Sequence, residues 1–150
     1  MKISHIWICF CLILVLVSAC KKDSDTTPVV VPDTTKPSVV LIDPTSNKVF
    51  ILGSALHLQM DLSDNIELKS YKVVITKSLK GVVTSDWAFS QTWPIAAGKK
   101  TFTVNQSEII VPLTVTGNQT TTGNYDMVIT CTDTSGNEST TTIAIILNKS

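Results

Sequence analysis

Carboxylate and amide side chains are concentrated in two short turn-like segments of the sequence. Asp61, Asp64 and Asn65 lie within one stretch of five residues, and Asp133 and Asn137 begin and end another. Calcium prefers oxygen ligands of this kind, usually about six to eight of them at about 2.4 Å. The two segments are therefore candidates for a calcium site if the fold brings them together.

The same residues are also typical of turns. Asp and Asn side chains accept hydrogen bonds from nearby backbone N–H groups, and Gly136 with Asn137 tolerates the positive φ of a tight hairpin. The sequence therefore leaves both turn formation and calcium binding open for these segments.

Residue types that usually carry catalysis are sparse. His57 is the single histidine after residue 20, and it alternates within a strand-like segment without an adjacent Ser or Cys motif. The sequence has no nucleophile elbow, paired-histidine metal motif or phosphate loop. Cys131 follows Met127 and Ile129 on one face of a predicted strand, where a thiol behaves as a small hydrophobe. We therefore expect no enzymatic activity.

Aromatic residues form a second candidate site. Trp87, Phe89 and Trp93 lie within seven residues of one another. An exposed tryptophan beside polar side chains can stack on a sugar ring. Trp87 and Phe89 are two residues apart and share one face of a strand, which also predicts core packing. Trp93, which Pro94 places at a strand end, is the favoured ligand-binding residue, with Trp87 as the other candidate.

From Pro37 onward, short alternating segments separated by Gly, Asn, Asp and Pro predict β-strands. The clear strands span residues 38–42, 55–62, 68–77, 108–115, 125–131 and 140–147. One or two more are expected between residues 86 and 104, and Pro112 indicates an edge or a bulge. About seven strands over about 110 residues are typical of an all-β, immunoglobulin-like antiparallel β-sandwich.

This fold would bring the acidic segments together. In an immunoglobulin-like sandwich, the loop between the second and third strands and the last hairpin lie at the same end. The chain enters the first strand at that end too, which adds Asp33. The candidate calcium ligands are Asp33, Asp61, Asp64, Asn65, Asp133 and Asn137.

The N-terminus has the features of an export signal. Residues 6–17 form an apolar stretch that is too short for a membrane span of about 20 residues. The following residues, Val17 to Cys20, resemble a bacterial lipobox, whose cysteine is acylated after cleavage in front of it. An ordinary secretory signal and an uncleaved anchor are the alternatives. We predict a signal peptide over residues 1–19 and a lipid anchor on Cys20.

The remaining chain divides into a linker and one domain. Residues 20–36 are polar and Thr-rich, with Pro28 and Pro32, which predicts a flexible, extended tether. Residues 37–148 are the predicted sandwich. The 12 basic and 12 acidic residues balance, and the chain contains no arginine, which disfavours nucleic-acid binding.

Three segments carry a family resemblance. Residues 33–44, 61–71 and 123–139, taken in order with the tryptophan-bearing segment between them, look like a bacterial Ig-like domain. More narrowly, they are similar to a family of uncharacterised Bacteroidota lipoproteins with one Ig-like domain of unknown function. The resemblance implies a fold and a location at the outer membrane, with exposure at the cell surface as one option, but no activity.

These observations predict a non-catalytic, lipid-anchored envelope or cell-surface protein. Its Ig-like domain would act as a binding or adhesion module for a glycan or a protein, and the lipid on Cys20 would attach it to the membrane. The alternative is a structural component of an envelope assembly that has no soluble ligand and is stabilised by calcium.

Overall fold

A computed structural model describes residues 31–78 and 85–150. The predicted signal peptide, Cys20 and most of the predicted tether lie outside these residues. The described part is made of β-strands, and it contains no helix that is long and apolar enough to cross a membrane. The all-β prediction is confirmed.

Ten strands are present in the described residues. They are β1 (Ser38–Asp43), β2 (Lys48–Ile51), β3 (Ala55–Ser63), β4 (Leu68–Lys77), β5 (Phe89–Pro94), β6 (Thr101–Ile110), β7 (Thr114–Val115), β8 (Asn118–Gln119), β9 (Gly123–Asp133) and β10 (Glu138–Asn148).

Two main sheets form the sandwich. One sheet has the order β1-β3-β6, and the other has the order β2-β10-β9-β4-β5. The pairs are antiparallel except that β2 runs parallel to β10. The short strands β7 and β8 form a separate hairpin. The immunoglobulin-like sandwich is confirmed, with one parallel pair that the sequence did not predict.

Alternation along the central strands builds the core. The buried hydrophobic side chains of β3, β4 and β9 are Leu56, Leu58, Met60, Leu62, Leu68, Tyr71, Val73, Ile75, Tyr125, Met127, Ile129 and Cys131. Successive side chains of a strand point to opposite faces, so His57, Gln59 and Asp61 lie on the outer face of β3. This alternation agrees with the sequence pattern.

The predicted strand over residues 108–115 is interrupted. β6 ends at Ile110, and Val111 then exchanges backbone hydrogen bonds with Gly53 and Ser54. Pro112 follows, and it has no N–H to continue a ladder. The chain resumes at β7 and turns at Thr116 and Gly117, both with positive φ. The short β7–β8 hairpin therefore follows the end of β6.

A buried tyrosine ties the start of β9 to neighbouring backbone. The Tyr125 O–H donates to the carbonyl oxygen of Thr121 at 2.8 Å and accepts a hydrogen bond from the N–H of Trp87 at 3.3 Å. The ring has no solvent exposure. A tyrosine that bonds backbone a few residues upstream is typical of immunoglobulin-like sandwiches, where it fixes the corner before this strand.

Replacing Tyr125 with Phe is expected to lower the free energy of unfolding by about 1–3 kcal/mol, because the Thr121 carbonyl loses its donor in a poorly solvated position. Urea unfolding of the purified protein measures the change. Tyr71→Phe is the matched control: the Tyr71 hydroxyl accepts from the half-buried Gln106 amide, which can turn to water. If Tyr125→Phe lowers the free energy of unfolding no more than Tyr71→Phe does, the stabilising role of the Tyr125 hydroxyl is contradicted.

Candidate metal centre

Three separate chain segments meet at one end of the sandwich. The N–H of Thr134, in the β9–β10 hairpin, donates to the carbonyl oxygen of Glu67, in the β3–β4 connection, at 3.0 Å. The Asn65 and Asn137 side chains both donate to Asp33, which precedes β1. The structure thus brings together the three segments that carry most of the candidate ligands.

Asp133 is held rigidly inside this end. It is the last residue of β9 and has no solvent exposure. Its Oδ1 accepts from the backbone N–H of Asn137 at 2.8 Å, and its Oδ2 accepts from the Asn137 side-chain amide at 2.7 Å. Gly136, with φ of 90°, allows the tight turn that these bonds require. The hairpin therefore fixes the carboxylate in a buried position.

Asp64 and Asp33 each use one carboxylate oxygen for their own turn. Asp64 Oδ2 accepts from the N–H groups of Ile66 and Glu67, both at 2.8 Å. Asp33 Oδ1 accepts from the N–H of Thr35 at 3.0 Å and from Asn65 Nδ2 at 3.2 Å. The other oxygens, Asp64 Oδ1 and Asp33 Oδ2, are buried and have no hydrogen-bond partner. Each side chain thus keeps one oxygen available for a ligand.

The three carboxylates lie close enough to share an ion. Asp33, Asp64 and Asp133 each offer an oxygen, and these oxygens lie within 4.8 Å of one another. Two oxygens on opposite sides of a calcium ion are about 4.8 Å apart when each lies at about 2.4 Å from it. The spacing fits a hard divalent cation.

In the described residues, no positively charged side chain forms an ion pair with these three carboxylates. In residues 31–78 and 85–150, the ion pairs closer than 4.0 Å involve Asp43, and none involves Asp33, Asp64 or Asp133. Lys100 reaches the same end, but its Nζ donates to the backbone carbonyl of Asn65 at 2.8 Å. In the described part of the chain, three carboxylates thus share this end without a lysine bound to any of them.

The local charges favour an oxygen-preferring cation over a thiolate-preferring one. Hydrogen bonds from Thr35 and Asn65 lower the pKa of Asp33, which keeps its carboxyl ionised. Burial, with a further contribution from the charges of Asp64 and Asp133, raises the pKa of Cys131 to about 11. The nearby thiol is therefore protonated at neutral pH and is a poor metal ligand.

The remaining candidate ligands take other positions. Asp61 is exposed, and its Oδ1 accepts from the Thr103 hydroxyl at 2.7 Å on the outer face of the sheet. Asn65 and Asn137 lie beside the carboxylates, but they donate amide N–H groups to Asp33 and Asp133. These two amides position the acidic side chains, and Asp61 lies outside the group.

The candidate aromatic residues are engaged in packing. Trp87 is buried, with ring centroids 6.0 Å from Phe89 and 6.4 Å from Tyr125. Trp93 is half-buried and stacks on Tyr71 with a centroid separation of 5.1 Å. One face of the Trp93 ring is thus covered, and the Trp87 ring has little surface on which a ligand could stack.

His57 belongs to a separate polar cluster on the outer face of the β1-β3-β6 sheet. Its Nδ1 lies 2.9 Å from Asp43 Oδ2, and its Nε2 lies 3.0 Å from Asn105 Oδ1. Lys48 Nζ donates to both oxygens of Asp43. Burial raises the pKa of Asp43, but the hydrogen bonds from Lys48 and His57 outweigh it and lower that pKa overall. Both ring nitrogens of His57 are therefore already bonded.

Comparison with known proteins places the chain within a family. The family model described as "Domain of unknown function (DUF4625)" matches residues 18–148. A search of curated proteins found no match.

Several solved structures are similar at low identity. CopC from Methylosinus trichosporium OB3b aligns with a TM-score of 0.41 and 11% identity over 75% of this chain and 95% of its own. A β-glucosidase from Listeria innocua aligns with a TM-score of 0.40 and 11% identity over 77% of this chain and 17% of its own. Spo0M from Bacillus subtilis aligns with a TM-score of 0.38 and 13% identity over 77% of this chain and 49% of its own.

The bonds of His57 predict a pH-dependent stability. The hydrogen bond to Asp43, and then that to Asn105, raise the pKa of His57 above its usual value of about 6.5. The stabilisation is fully present below that usual value and is lost as pH rises through the higher pKa of the folded state. The free energy of unfolding should therefore fall between about pH 6 and pH 8.

Urea unfolding at several pH values measures this dependence. His57→Gln is expected to flatten the slope over that range, while Lys72→Gln, at an exposed position of β4, leaves it unchanged. Equal slopes for the wild type and His57→Gln would contradict the role of His57.

Proposed function

The chain belongs to the DUF4625 family, and we propose that it is a non-catalytic, lipid-anchored protein of the bacterial envelope whose Ig-like domain binds Ca²⁺. The domain would serve as a binding module for a glycan or another surface protein. The observation that carries the calcium proposal is the group formed by Asp33, Asp64 and Asp133, with oxygens within 4.8 Å of one another.

Charge supports a bound cation. Burying a carboxylate oxygen without a partner is unfavourable, because the charge loses its hydration. Here one oxygen of Asp33 and one of Asp64 are buried without a hydrogen bond, beside the fully buried Asp133. A divalent cation would neutralise most of this charge and give both oxygens a partner. The three carboxylates would be its protein ligands.

Calcium fits this group better than magnesium does. Ca²⁺ accepts irregular sets of carboxylate and carbonyl oxygens at about 2.3–2.6 Å, whereas Mg²⁺ demands near-octahedral geometry at about 2.0–2.1 Å and keeps most of its waters. The three carboxylates come from a loop, a turn and a strand end, and two of them are already oriented by their own turns. Such a set can contribute several ligands to a flexible coordination sphere.

The state of the potential catalytic side chains supports a non-catalytic role. Both ring nitrogens of His57 are bonded to oxygen atoms. Cys131 is buried, and its pKa is raised to about 11, so the thiol is protonated. Neither side chain is available as a general base or a nucleophile at neutral pH.

Calcium should raise the thermal stability of the protein, because it binds the folded state and lacks its site in the unfolded chain. At about 100 times the dissociation constant, the stabilisation is about 2.7 kcal/mol. For a domain of this size it corresponds to a rise in Tm on the order of 10 °C. Thermal unfolding in about 1 mM CaCl₂, compared with thermal unfolding in EGTA, measures the shift in Tm.

The calcium-dependent shift in Tm of two aspartate variants shows which carboxylates bind the ion. Asp64→Asn should lose most of the shift, since it removes one charge while keeping the side-chain shape. Asp61→Asn, three residues earlier and bonded to Thr103 instead, should keep it. A wild-type Tm that does not change with calcium, or equal losses in both variants, contradicts the site.

The lipid anchor has its own test, because Cys20 lies in the predicted lipobox. In a bacterium that expresses the full chain, labelled palmitate should be incorporated into the protein, which should partition into the membrane fraction. Cys20→Ser should abolish labelling, and Cys131→Ser should retain it, since Cys131 is buried in the domain. Labelling that survives Cys20→Ser contradicts the anchor.

A further inference from the structure

We infer that the cation bound by Asp33, Asp64 and Asp133 is a clamp that fixes residues 32–36 against the end of the sandwich, and that its removal frees them. This inference rests on the proposed calcium site and assigns it a conformational role. The segment concerned is the last part of the predicted tether and the chain leading into β1.

The three ligands are anchored unequally. Asp133 ends β9, and both of its oxygens are bonded to Asn137. Asp64 lies just after β3, where its N–H donates to the carbonyl oxygen of Lys100 and its Oδ2 accepts two backbone N–H groups. Asp33 lies five residues before β1 and belongs to no strand. The sandwich therefore holds two of the carboxylates in place, and the third belongs to a segment that can move.

Asp33 is the point of attachment of this segment. In the described part of the chain, the hydrogen bonds from residues 32–36 to the sandwich are those that Asp33 accepts from Asn65 and Asn137, at 3.2 and 3.1 Å. Pro32, Thr34, Thr35 and Lys36 are exposed. Pro37, which accepts a hydrogen bond from the Ser139 hydroxyl, is the first buried residue. Within the described residues, the attachment of residues 32–36 to the sandwich thus depends on one residue, Asp33, through a carboxylate oxygen and its backbone carbonyl oxygen.

A bound cation changes the net electrostatic force on the Asp33 carboxylate from repulsion to attraction. Without a cation, its carboxylate lies within 4.8 Å of two other carboxylates, which repel it. Two amide hydrogen bonds oppose this repulsion. With a divalent cation between them, the same three carboxylates are all attracted to a common centre. The energy that holds residues 32–36 in place therefore depends on the ion.

The unpartnered oxygens are an independent sign that the closed arrangement needs a ligand. Asp33 Oδ2 and Asp64 Oδ1 belong to different chain segments, and both are shielded from solvent without a donor. Opening the segment would give each oxygen water, and binding a cation would give each a ligand bond. Both states give these oxygens a partner, but only the cation-bound state keeps residues 32–36 against the sandwich.

Hydrogen–deuterium exchange of the full chain in detergent tests the clamp. Of the backbone N–H groups of residues 33–36, that of Thr35 donates to Asp33 Oδ1 within the segment itself. In EGTA, where the clamp is released, these amides should exchange at close to the rate of an unstructured peptide. In CaCl₂ their exchange should slow by about tenfold or more. Amides of β3 and β9 serve as the internal reference, because both strands are paired on each side.

Two variants separate the clamp from calcium binding itself. Asp33→Asn should weaken calcium binding by about tenfold or more, because ligand charge sets the affinity, and it should remove the protection of residues 33–36. Asp61→Asn should change neither quantity. Isothermal titration with CaCl₂ gives the affinities.

The outcomes are distinguishable. If the wild type does not bind calcium in the titration, the proposed site fails, and the clamp fails with it. If calcium binds and residues 64–67 and 133–137 become protected while residues 33–36 do not, the site stands and the clamp is wrong. Protection of residues 33–36 that requires both calcium and Asp33 supports the clamp.

Discussion

The burial of alternate side chains between the two sheets is the constraint on which this structure depends. Because the period of a strand is two, each strand can place only one set of residues in the core, and a one-residue slip would expose all of them. In β9 that set runs from Tyr125 through Cys131 in steps of two. The next member of the series is Asp133. The packing that stabilises the sandwich therefore also drives a carboxylate into its end.

The same alternation of inward and outward side chains explains why Asp64 and Asp133 lie close together and Asp61 does not. The inward residues of β3 have even numbers up to Leu62, and Asp64 continues that series just beyond the strand. Asp61 is out of phase and lies on the outer face. Strand phase read from the sequence could thus have separated Asp64 and Asp133 from Asp61. Composition and proximity along the chain could not, because they treat the three as equivalent.

Other parts of the structure depend on contacts that a linear pattern does not contain. The alternating strands β3, β4 and β9 were predictable because each is long and has one buried face. The edge strand β2 has four residues, and its parallel pairing with β10 joins segments about a hundred residues apart. The stacking of Trp93 on Tyr71 is likewise a cross-strand contact between β5 and β4. The sequence identified the aromatic residues, but only tertiary packing decides which of their faces are covered.

The aspartates at the two ends of the sandwich differ in how their negative charge is balanced. Asp43, toward one end of β1, is partly buried and receives hydrogen bonds from both Lys48 and His57. The chain thus supplies its own positive charge there. At the other end, in the described residues, three carboxylates converge, and Lys100 donates to the backbone carbonyl oxygen of Asn65 and not to any of them. In the described residues, the protein thus pairs one half-buried aspartate with two basic side chains and brings three other aspartates together without one. This difference in charge balance is what supports the proposed cation.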